Sequence, residues 1–126
     1  NRKFFVDRVK FSPKDLIQVA NMYGGICVLL HPKSLRFNNT DLAFFLKELK
    51  ELGIKGIEAY NPHNTEEQRN YYLLLAEDLD LIPTVGSDYH GISSRGVEIG
   101  KGVDNNLNIT DYSIVERLKL EKNKMY

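Results

Sequence analysis

Two kinds of apolar pattern alternate along the chain. The runs at 26–30 and 81–85 are apolar without alternation, and 54–60 is a third short run, Ile-Lys-Gly-Ile-Glu-Ala-Tyr. Runs of this length and composition predict strands, and the unalternating ones predict strands covered on both faces of a parallel sheet. Between them lie stretches of helical period. Ser12-Pro13 opens the first, with Ser12 as N-cap and Pro13 at the first helical position, and Leu16, Ile17, Val19, Ala20 and Met22 form its apolar side before Gly24-Gly25 stops it. Asn39-Thr40-Asp41 starts a second helix, with an apolar stripe of Leu42, Phe45, Leu46, Leu49 and Leu52 and a stop at Gly53. Asn64 or Thr65 caps a third, whose buried side is Tyr72, Leu75, Ala76 and Leu79. Thr110-Asp111 starts a last helix that runs into Leu120. Strand and helix joined by short connections predict an α/β fold of right-handed βα units on a parallel sheet.

The periodicity weakens elsewhere. Residues 1–11 are basic and aromatic without a clear period and read as a connector. Residues 93–108 are rich in Gly and Asn and read as loop, with one short strand at Val97-Glu98-Ile99; the basic residues from Lys119 onward are expected to fray. A length of 126 residues suits a single domain over 1–126. Formal net charge is zero, so charge gives no case for a nucleic-acid backbone or an anionic membrane as main partner. Cys27 is the one cysteine and lies inside an apolar run, which favours a small core residue over a nucleophile and fits a reducing, cytoplasmic setting. No run approaches membrane-spanning length. The chain begins at Asn1, which fits an excised piece or a processed product.

The chemistry gathers at the strand ends. Gly86-Ser87-Asp88-Tyr89-His90-Gly91 follows the third strand. A carboxylate and an imidazole two residues apart on extended backbone turn toward one point, and that donor pair suits Zn, Mn or Fe. His31 follows the first strand, and Glu58 and His63 lie at and after the second. Taken singly, each has an ordinary structural role open to it: a loop histidine, a strand-end carboxylate, a polar residue at a helix entry. Strand C-termini of a parallel sheet share one edge, however, and ligands bind there. All the histidines of the chain fall on that edge. Ser87 lacks a nucleophile elbow and Gly100-Lys101-Gly102 lacks phosphate-loop spacing.

These stretches have counterparts in one family. Gly24-Gly25-Ile26-Cys27-Val28-Leu29-Leu30-His31-Pro32 resembles the GG-x-x-VLAHP motif of the polymerase and histidinol phosphatase (PHP) superfamily. Gly53-Ile54-Lys55-Gly56-Ile57-Glu58-Ala59-Tyr60 resembles its G-[LI]-x-GIEvY strand, His63-Asn64-Thr65-Glu66-Glu67-Gln68 its H-T-x-E-Q helix entry, and Gly86-Ser87-Asp88-Tyr89-His90-Gly91 its closing GSDfHG motif. The order and spacing also agree, from about Ser12 to Leu118. The resemblance implies part of a distorted (βα)7 barrel with a cluster of two or three divalent ions (Mn, Zn, Fe or Mg) at the strand ends. It implies His31, Asp88 and His90 as metal ligands, with Asp88 and His90 the catalytic pair. His63 aligns with a histidine that contacts substrate phosphate. Lys33 and Arg36 fall in a loop where relatives carry an arginine for phosphate, although here it reads Lys-Ser-Leu-Arg.

The family's upstream His-x-His and the histidine that follows it are absent. The chain thus resembles the C-terminal half to two-thirds of a PHP domain, its nearest likeness being to bacterial PHP metal-dependent phosphoesterases, and its first partner is the missing N-terminal half of the barrel. The resemblance implies hydrolysis of phosphate monoesters, with a phosphorylated small molecule such as a nucleotide or nucleoside bisphosphate as substrate. The chain alone is expected to be inactive, because it lacks ligands for a full cluster. Two other readings are a non-catalytic interaction module on the same scaffold and an exonuclease-like module attached to a polymerase. Neutral charge disfavours the latter.

Overall fold

The computed structural model describes residues 10–93, 96–107 and 109–124. Residues 1–9 of the connector expected over 1–11 lie outside them. The described order is α1 (Pro13–Met22), β1 (Val28–Leu29), α2 (Asn39–Leu52), β2 (Gly56–Tyr60), α3 (Glu66–Asp78), β3 (Ile82–Val85), a hairpin of β4 (Val97–Glu98) and β5 (Gly102–Val103), and α4 (Ser113–Asn123).

The three main strands lie in the order β1-β2-β3 and both pairings are parallel, with Val28 opposite Gly56 and Gly56 opposite Ile82. The parallel βα arrangement expected from the sequence is therefore present, with α2 and α3 as its crossovers. Gly56 is needed at the centre, since a Cβ there would stand 2.7 Å from the Ile82 carbonyl oxygen.

Local signals set the helix ends. Ser12 and Asp15 form a reciprocal capping box on α1, as Thr65 and Gln68 do on α3. The cap of α2 is Asn38, one residue ahead of the expected start, because its Oδ1 accepts the Asp41 N–H at 2.8 Å. Gly53 closes α2 in the left-handed region at φ 108°. The N-cap of α4 is Tyr112, whose side chain makes no cap bond; Asp111, from the expected Thr110-Asp111 start, instead accepts the Ser113 N–H at 2.9 Å, and the helix runs past Leu120 to Asn123. Glu121 supports that last turn through ion pairs to Lys124 and to Lys55.

The core sits between the sheet and helices α2 and α3. Leu42, Leu46 and Leu49 of α2 meet Ile54, Ile57, Ala59 and Leu81, with Tyr72, Leu75 and Ala76 of α3 beside them. Leu52, expected on the buried stripe, is exposed. On α1 only Ile17 is buried, while Leu16, Val19 and Met22 face outward. β1 is shorter and more open than the pattern at 26–30 implied. Among the described residues its only strand neighbour is β2, so Val28 and Leu29 are half-buried and Leu30 is exposed. Burial pushes the Cys27 thiol upward in pKa, opposite to the shift of an activated nucleophile. Among the described residues no helix is long and apolar enough to cross a membrane.

Candidate functional site

The parallel order puts the residues after β1, β2 and β3 along one edge. His31 follows β1 in the left-handed region, at φ 48°, immediately before Pro32. That conformation is uncommon for a residue with a Cβ and persists only where neighbours hold it. They do so on both sides: the His31 N–H donates to Glu58 Oε2 at 3.0 Å, and its carbonyl accepts the Ser34 N–H at 2.8 Å and the Ser34 hydroxyl at 2.8 Å.

After β2 the chain turns through Asn61. Asn61 Nδ2 donates to Glu58 Oε2 at 3.2 Å, and its Oδ1 accepts the His63 N–H at 3.0 Å. The His63 carbonyl accepts from Lys33 Nζ at 3.0 Å, which ties this loop to the turn after β1. The register of β2 on β3 slips between Glu58 and Tyr60, and the Gly86 N–H then donates to the Tyr60 carbonyl at 2.9 Å. The next two residues lead to Asp88, also left-handed at φ 57°.

Around the Asp88 carboxylate stand three imidazoles. His31 Nε2 lies 3.4 Å from Oδ1, His63 Nε2 3.4 Å from Oδ2, and His90 Nδ1 3.6 Å from Oδ1. The carboxylate side chain is 22% exposed and the imidazoles between 45% and 71%, so the acid forms the floor and the rings the open rim. His90 Nδ1 also lies 2.8 Å from the Asp88 carbonyl oxygen. A carbonyl only accepts, so Nδ1 is the donor in that contact. This is the usual arrangement for a metal-binding histidine.

The structure thus brings His31, His63, Asp88 and His90 together. Lys33 reaches the His63 carbonyl at the margin, and Arg36 is placed elsewhere. Arg36 lines a groove of about 500 Å³ with Lys33, Phe37, Gln68 and Tyr71, between the turn after β1 and the first turns of α2 and α3.

The donor set can be tested against a metal. Carboxylate oxygen with imidazole nitrogen suits a borderline divalent ion, and donors sharing a tetrahedral ion at about 2.1 Å stand about 3.4 Å apart, the spacing that His31 and His63 keep from Asp88. The residues fit an ion in kind, and the His31–Asp88 and His63–Asp88 pairs each fit one in spacing. Among the described residues, however, no three His, Cys, Asp or Glu side chains close around a point tightly enough to hold an ion by themselves.

The sequence pattern had not singled out Asn61, nor the burial of Glu58. The available signal was polarity at the end of an otherwise apolar run, Glu58 and Asn61 on either side of Ala59-Tyr60. The two glycines of the closing motif are there for different reasons. Gly91 adopts a left-handed φ of 72°, whereas Gly86 is required by space, since a Cβ there would lie 2.1 Å from Glu58 Oε1.

No protein-family model matches the chain. Over 87 residues it is 37% identical to phosphoribosyl 1,2-cyclic phosphate 1,2-diphosphodiesterase of Eggerthella lenta, covering 69% of this chain and 31% of that protein. Over 90 residues it is 32% identical to the 5'-3' exoribonuclease of Haemophilus influenzae, covering 70% and 32%. The chain spans about a third of the length of these curated relatives. Among solved structures, a candidate metal-dependent phosphoesterase from Bifidobacterium adolescentis superposes with a TM-score of 0.72 at 24% identity, over 94% of this chain and 39% of that one. At that identity the superposition speaks for the fold.

Proposed function

Taking the chain as a member of the polymerase and histidinol phosphatase superfamily, on its motifs, its parallel α/β fold and its relatives, we propose that it carries part of the active site of a metal-dependent phosphoesterase. The observation that carries this reading is the Asp88 carboxylate faced by His31, His63 and His90 at the strand ends. A divalent ion held there supplies a hydroxide at neutral pH and neutralises charge on phosphoryl oxygens.

Within that chemistry His31, Asp88 and His90 hold metal. Asp88 presents both oxygens, one toward His31 and His90 and the other toward His63. His63 and Lys33 orient the phosphate by charge-assisted hydrogen bonds, and Arg36 meets the remainder of the substrate from the groove. The substrate is a phosphate ester of a small molecule, such as a nucleotide, in a cytoplasmic setting. The names of both curated relatives describe phosphodiester cleavage, which adds diesters to the monoesters expected from the sequence. The remaining ligands and the rest of the barrel come from a longer protein, so this chain alone has little or no activity.

The test is metal analysis with a phosphate-release assay on nucleotides and on a cyclic diester. It is run with this chain and with a chain spanning its relatives' full length, each loaded with Mn or Zn. Activity of the longer chain lost in Asp88→Ala is the expected result. Robust turnover by the 126 residues alone refutes the incomplete-cluster reading. A longer chain that binds metal but hydrolyses no ester refutes the phosphoesterase.

A further inference from the structure

Glu58 is a buried acid that this chemistry leaves unused. It is 4% exposed, beside the fully buried Ile57 and Ala59 of β2. A carboxylate costs free energy to bury unless its oxygens are engaged, and an apolar side chain would pack there without that cost. Its contacts run to the strand ends. Oε2 accepts the His31 N–H and one Asn61 Nδ2–H, and Asn61 in turn accepts the His63 N–H. Oε1 stands over Gly86, two residues before Asp88, in the space a Cβ would take. One carboxylate therefore touches the ends of all three strands. Both hydrogen-bond paths end on main-chain N–H groups of residues whose side chains face Asp88. What they set is the direction of those side chains, including the left-handed turn of His31.

We propose that Glu58 is the positioning residue of the His31–His63–Asp88 cluster. It aims the imidazoles of His31 and His63 at the two oxygens of the Asp88 carboxylate without facing Asp88 itself. The proposal rests on the reading of His31 and Asp88 as metal ligands with His63 beside them, and its test separates the two.

The chain is compared with Glu58→Gln and Glu58→Met. The Gln carbonyl can stand at the place of Oε2 and accept both bonds, whereas Met keeps the volume and accepts neither. Two quantities are measured: amide exchange at His31 and His63 against Leu46 and Leu49 in α2, and affinity for Zn²⁺ alone by calorimetry. In Gln the His31 and His63 amides stay protected. In Met they exchange at least about tenfold faster while Leu46 and Leu49 are unchanged, and Zn²⁺ binds about 10–100-fold more weakly than in Gln. Met matching Gln at both amides and in Zn²⁺ affinity overturns the proposal, since Glu58 would then only fill space. Loss of Leu46 and Leu49 protection in both variants also overturns it, making Glu58 a general core residue. If the unsubstituted chain takes up no Zn²⁺ but Gln and Met still differ at His31 and His63, the positioning role stands and the metal reading of this chain falls.

Discussion

Gly86→Ala is the substitution that most directly probes the joint between sheet and site. The added Cβ would lie 2.1 Å from Glu58 Oε1, more than 1 Å inside an ordinary contact. On a surface glutamate the clash would be relieved by a small swing of the side chain. Glu58 cannot swing freely: it is 4% exposed, and Oε2 is held at 3.0 Å by His31 and 3.2 Å by Asn61. Relief must either break a buried charge-assisted hydrogen bond or overpack the site, and each costs about 2–3 kcal/mol. Gly86 is not in the left-handed region, so alanine meets no backbone penalty. It should also gain about 0.4–1 kcal/mol by restricting the unfolded chain. The net loss is about 1–2.5 kcal/mol, or roughly 4–10 °C in Tm for a domain of this size. The same change in a Glu58→Ala background has no clash to relieve, so it becomes neutral or stabilising by about 0.5 kcal/mol. Thermal and urea denaturation of the four proteins measure the cycle. An equal loss in both backgrounds, or a Tm for Gly86→Ala within about 2 °C of the unsubstituted chain, would refute the contact as the reason for glycine.

Two further outcomes follow from the fold. Leu46 is fully buried between sheet and helices, so Leu46→Ala should lower stability by about 2–5 kcal/mol in urea titrations; a loss under about 1 kcal/mol would mean the core is not centred there. Hydrogen bonds from the Ser12 hydroxyl and then the Ser12 N–H hold the Asp15 carboxyl below its usual pKa. The capping contribution is therefore complete above the ordinary aspartate range and fades as pH falls through the depressed value. Amides in the first turn of α1 should exchange faster, after correction for intrinsic rates, as pH drops through that range, and flat corrected rates would count against the cap.

Much of the fold was legible because it depends on local signals. Helix starts at Ser12 and Thr65, the stop at Gly53 and the stripe Leu42, Leu46, Leu49 each act within a turn or two of chain, where residue type and spacing carry the physics. Parallel pairing followed from short strands joined by helices, since that connection admits little else. What failed locally was burial at the margins. Leu16, Val19 and Met22 repeat like a core stripe, and 26–30 reads like a central strand, yet α1 shows only Ile17 to the core and β1 has a described strand neighbour on one side alone. Periodicity reports that a face is apolar and cannot report whether anything covers it.

The site divides in the same way. Its residue types were present in the sequence: three histidines and Asp88 at strand ends, in motifs specific enough to indicate a family. Their distances were not, because His31 and Asp88 are 57 positions apart in sequence and meet at 3.4 Å only through two parallel crossovers. The support beneath them was legible least of all. That Glu58 is buried, that it holds His31 through a main-chain N–H, and that it excludes a Cβ at Gly86 are facts of packing between β1, β2 and β3. A side chain's type sets which bonds it can make, but only the folded arrangement of distant strands decides which partners stand within reach.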